Sequence, residues 1–98
     1  MTMYVLLSKL SPTGAGEVRS LAERVAEFER KVAERYPEVR DLTSYALLGS
    51  YDFLHIFEAP DANVATKVAL LAQTFGVGTT ETLTAIPFDE FTAIADEV

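Results

Sequence analysis

Apolar residues recur along this chain with two different periods. From Glu17 to about Tyr36 they fall at Val18, Leu21, Ala22, Val25, Phe28, Val32, Ala33 and Tyr36, the three-four spacing that lines one side of a helix. Pro37 ends that helix, because it cannot donate a backbone hydrogen bond and holds the residue before it away from helical angles. A second helical pattern begins at Ala59-Pro60-Asp61, with Asp61 placed as N-cap, and runs through Val64, Val68, Leu71, Ala72 and Phe75 to a stop at Gly76. Phe88, Phe91, Ile94 and Ala95 predict a short closing helix over about 88–97. Residues 3–9, 42–48, 51–58 and 79–86 are strand-like runs, bounded by the turn-forming segment 11–16, by Gly49-Ser50 and by Pro87.

The expected order is therefore β-α-β-β-α-β, which predicts an α+β, ferredoxin-like domain with a four-stranded antiparallel sheet across residues 1–98. Right-handed crossovers put both main helices on one side of that sheet. Gly49-Ser50 suits a two-residue hairpin turn, with Gly49 supplying the unusual φ, Ser50 completing the loop and Asp52 holding it through its carboxylate. This register sets Leu48 opposite Tyr51, Ala46 opposite Phe53, Ser44 opposite His55 and Leu42 opposite Phe57. Both sides of the 42–57 hairpin are largely apolar, while two helices cover only one. The helix-free side is thus expected to pair with a second copy of the chain.

Charge narrows the partners. Residues 1–40 carry seven basic and six acidic side chains, whereas 41–98 carry one basic residue, Lys67, and nine acidic ones. Phosphate backbones and anionic lipid surfaces require clustered cations, so neither nucleic acid nor membrane is an expected partner. With no cysteine, there is no disulfide, thiolate zinc site or cysteine nucleophile. The opening segment MTMYVLLSKL has neither a basic start nor a long apolar stretch, which points to the cytoplasm. Asp89, Glu90, Asp96 and Glu97 match no calcium-loop spacing, and neither a metal nor a cofactor is expected.

The segments YVLLSKLSPTG at 4–14, YALLGSYDFLHIFEAPD at 45–61 and TTETLTAIPFDEF at 79–91 resemble the GYD domain family, with Ser50 set between the glycine and the tyrosine of the motif. The hairpin is also similar, more weakly, to one in the effector-binding domains of Lrp/AsnC regulators. The resemblance implies a dimeric α-β barrel, in which two ferredoxin-like sheets face each other around a lumen. On that expectation, aliphatic Val5, Leu7, Leu47, Leu54, Ile56, Leu83 and Ala85 pack against the helices, and the alternating residues face the lumen. The candidate ligand-binding set is then Tyr4, Ser44, Tyr51, Phe53, His55 and Thr82, since aromatic walls with a few polar groups suit a small molecule.

His55, the single histidine, is the one candidate for catalysis, as a general base, hydrogen-bond donor or haem ligand on the lumen wall. Spacing alone places no second titratable group beside it. No nucleophile triad, phosphate loop or carboxylate pair is legible. Two readings stay open: a homodimeric module that binds a small ligand or another protein, and a cofactor-independent barrel enzyme of monooxygenase or isomerase type.

Overall fold

The computed structural model describes residues 1–11 and 18–98, so the turn expected at 11–16, Ser11 apart, and the Val18 side chain lie outside the described residues. The elements run β1 (Thr2–Leu10), α1 (Val18–Arg35), β2 (Arg40–Ala46), β3 (Phe53–Ala59), α2 (Ala62–Gln73), β4 (Val77–Ala85) and α3 (Phe88–Ala95). The four strands form one sheet in the order β2-β3-β1-β4, with the β1–β3, β1–β4 and β2–β3 pairs all antiparallel. This is the ferredoxin-like βαββαβ fold that the two hydrophobic periods predict. Among the described residues, no helix is long and apolar enough to cross a membrane.

Local chemistry sets the ends of the elements. Asp61 caps α2 by accepting the Val64 N–H at 3.0 Å, and Pro37 follows α1 by two residues. Ser44 pairs with His55 and Ala46 with Phe53, as the hairpin register requires. The turn is wider than two residues, however, because it closes at Leu47 and Asp52 while Asp52 also bonds to β1. Asp52 donates its N–H to Ser8 O, its carboxylate accepts the Leu10 N–H at 2.8 Å, and its own carbonyl accepts from Leu47 N. The chain crosses the tip at Gly49, whose φ of 146° lies in the region that favours glycine. Leu42 does not pair with Phe57. A bulge between Arg40 and Thr43, where Asp41 takes φ 56°, shifts the register by one.

β4 starts two residues before the expected 79, just past Gly76. Ser11 N–H bonds to Gly76 O at 3.1 Å, and a Cβ at Gly78 would lie 3.1 Å from Ser11 Cα, so this close approach favours glycine.

The pairing registers sort the side chains into rows across the sheet. On one side run Ser44, His55, Leu6 and Thr82, flanked by Ala46, Phe53, Ser8 and Thr80 and by Phe57, Tyr4 and Thr84. On the other run Thr43, Ile56, Val5 and Leu83, flanked by Tyr45, Leu54, Leu7 and Glu81. The buried core joins the first side to the helices: Tyr4, Leu6, Phe57 and Ala59 meet Phe28 and Val32 of α1 and Val64, Ala65, Val68, Leu71 and Ala72 of α2.

This reverses the expected assignment of faces. Tyr4, Ser44, Phe53, His55, Phe57 and Thr82 stand on the helix side, while Val5, Leu7, Leu54, Ile56 and Leu83 face away from the helices. The physical reason is size. Aromatic side chains bury the largest areas, and Tyr4 and Phe57, stacked at 5.8 Å, fill the depth between sheet and helices where small Ala65 and Ala72 make room. On the helix-free side Val5, Leu7, Leu54 and Ile56 are half-buried and Leu83 is exposed, and α3 has no buried residue.

Candidate functional site

Of the six residues proposed from sequence as ligand contacts, the structure gathers three. Ser44 on β2 and Phe53 and His55 on β3 lie together beneath α1. Tyr4 packs separately against Phe57, and Thr82 is exposed on edge strand β4. Tyr51 is on the opposite face, where its hydroxyl bonds Glu81 and Lys9 Nζ lies 5.4 Å above its ring. The Glu81 carboxylate, first by that hydrogen bond, pushes the Tyr51 phenol above its ordinary value.

His55 is 4% exposed, with its ring 5.0 Å from Phe28 of α1. Its expected place on a lumen wall is therefore corrected: the imidazole is packed under the first helix. It is not isolated there. Ser44 Oγ lies 2.8 Å from His55 Nδ1 and 2.9 Å from Glu29 Oε2. A serine hydroxyl has one proton, and an ionised Glu29 can only accept, so that proton goes to Glu29. Ser44 must then accept from Nδ1–H, which sets the tautomer of the neutral ring. Burial pushes the imidazole below its ordinary value of 6.5, and the nearby Glu29 charge partly opposes that shift.

Glu29 was not singled out from sequence. The available signal was its position: it is four residues after Val25 and directly follows Phe28, so it borders the apolar stripe rather than the charged face. The opposite face forms its own pairs, Arg30 with Glu27 and with Glu34. Glu29 makes no ion pair among the described residues.

The network sits in a groove. α1 buries only Phe28 and Val32 among its described side chains and stands off from edge strand β2. The Glu29–Ser44 bond spans the gap and divides it into two lobes. The larger, about 440 Å³, lies against Leu21, Ala22, Val25, Ala26, Ala46 and Phe53, and the smaller, about 330 Å³, against Val32, Ala33, Val39 and Leu42. Next to the larger lobe, a cavity of about 20 Å³ touches Phe28, Phe53, His55, Phe75 and Arg24. Arg24 is already committed there, with its guanidinium donating to Ser20 O and Oγ and to Phe75 O.

The second surface is the helix-free face, where Val5, at its centre, has Ile56 on one side and Leu83 on the other. A groove of about 240 Å³ between Met3, Ala85 and Ile94 carries this surface onto α3, where Phe88, Phe91 and Ile94 are 79%, 49% and 51% exposed.

A four-stranded antiparallel sheet with two helices on one side and an apolar opposite face defines the class as a ferredoxin-like α+β domain. The GYD domain profile matches residues 4–95, and the chain belongs to the GYD domain family. It is 36% identical over 93 residues to the glutamine synthetase and cystathionine beta-lyase binding protein of Thermus thermophilus, covering 95% of this chain and 97% of that one. Among solved structures, a dimeric ferredoxin-like protein of unknown function from Thermobifida fusca superposes with a TM-score of 0.60 at 11% identity, over 88% of this chain and 90% of that one. MtbAldR superposes with a TM-score of 0.57 at 15% identity, over 88% of this chain and 52% of that longer chain. These structures share the fold, and the Thermobifida relative is dimeric.

Proposed function

We propose that this chain is a homodimeric protein-interaction module that acts by docking on other proteins. The observation that carries the proposal is the uncovered apolar row Ile56–Val5–Leu83, with Leu54 and Leu7 beside it, on a sheet whose other side already packs against two helices. Such a surface in water favours burial against a partner, and a second copy offers the same apolar rows. The exposed side of α3 continues it, so a copy seated on the sheet also reaches Phe91 and Ile94. The dimeric relative and the Thermus relative named for binding two other proteins support the two halves of this reading.

Light scattering coupled to size exclusion tests the first half: the wild type runs as a dimer at low micromolar concentration, and Val5→Asp runs as a folded monomer because the interface would have to desolvate a carboxylate. A wild type that is monomeric and stably folded overturns it. For the second half, glutamine synthetase purified from the same organism is titrated onto the immobilised dimer. Saturable binding is expected, and no binding to it or to cystathionine beta-lyase overturns the docking role.

A further inference from the structure

We propose that the larger lobe of the α1–β2 groove is a binding site for small primary amines that carry an apolar body. Three observations meet there. The lobe, about 440 Å³, is walled almost entirely by apolar side chains, Leu21, Val25 and Phe53 foremost. At one end stands a single carboxylate, Glu29, which has no cation partner among the described residues. That carboxylate is held in place: His55 Nδ1–H donates to Ser44, and Ser44 donates to Glu29 Oε2, so a buried ring on β3 orients a hydroxyl on β2 toward a carboxylate on α1. Oε1 makes no hydrogen bond among the described residues.

The chemistry of this end selects the ligand. An oriented carboxylate beside an apolar wall complements an ammonium group, which donates to Oε1 while its carbon body displaces water from Leu21, Val25 and Phe53. Among the described residues the lobe is lined by no cation, and the Arg24 guanidinium beside the adjoining small cavity is bonded to Ser20 and Phe75. One carboxylate and one hydroxyl supply too few oxygens for a divalent cation. The site lies across the sheet from the proposed dimer face, so it stands or falls independently of dimerisation.

The test is a heteronuclear NMR titration of the full chain with three probes of nearly one shape: phenethylamine, phenethyl alcohol and phenylacetate. Phenethylamine is expected to shift the amides of Val25, Glu29, Ser44 and Ala46 saturably. The alcohol should bind at least about tenfold more weakly, since it lacks the charge-assisted bond, and phenylacetate should not bind. Glu29→Gln should lower amine affinity to that of the alcohol. Ala22→Phe, a change at an exposed helix position that lines the lobe, should crowd it and weaken amine binding without unfolding the chain. Amine and alcohol binding alike on the wild type, amine affinity unchanged in Glu29→Gln or Ala22→Phe, or no shifts in those amides overturns the proposal. Should Glu29→Gln fail to fold, the probe comparison and Ala22→Phe decide.

Discussion

Acidification should destabilise this fold through one side chain. His55 is buried as a neutral ring, and burial holds its folded value below the ordinary 6.5, with the Glu29 charge opposing in part. Between those two values the unfolded chain carries a proton that the native chain does not. Stability is therefore complete above pH 6.5 and is lost as pH falls toward the folded value. Between about pH 7.5 and about pH 5.5, a ring that stays neutral when folded loses at most about 1.4 kcal/mol, or roughly 5–10 °C in melting temperature for a domain of this size. Glu29 on α1 and Ser44 on β2 are the polar groups bonded into this cluster, and Glu29, by attracting the imidazolium, reduces the loss below that ceiling. The assay is urea unfolding at several pH values for the wild type and for His55→Gln, which retains a donor for Ser44 but cannot titrate. The wild type should lose more stability on acidification than the variant. Parallel losses in the two proteins, or a wild type that gains stability, would refute the reasoning.

Phe57→Ala should cost about 3–5 kcal/mol, because Phe57 is 1% exposed and its ring stacks on Tyr4 beneath the helices; a loss under about 1 kcal/mol by denaturant unfolding would contradict that packing. Asp52→Asn should lower stability by about 1 kcal/mol through weakening the charge-assisted bond to Leu10 N–H, and an unchanged melting curve would show that this bond does not hold the hairpin to β1.

The two hydrophobic periods, the Pro and Gly stops and the Asp61 cap are local properties, so the order of elements was legible in the chain itself. So was the hairpin register between 43 and 46, because Gly49-Ser50 marks the centre of the turn, and closing it one pair wider, at Leu47 and Asp52, leaves the pairing the same. What the sequence by itself left undetermined was which face the helices cover. In strands with apolar residues on both sides, alternation identifies two rows but does not orient them. Only packing decided that, by burying Tyr4 and Phe57 in one core with α1 and α2 and leaving Val5, Leu7, Leu54 and Ile56 outside. The same step turned His55 away from the presumed lumen and joined it to Glu29, 26 positions earlier, through Ser44. That contact depends on how α1 lies across the sheet, a distance set by the whole core. No spacing along the chain encodes it.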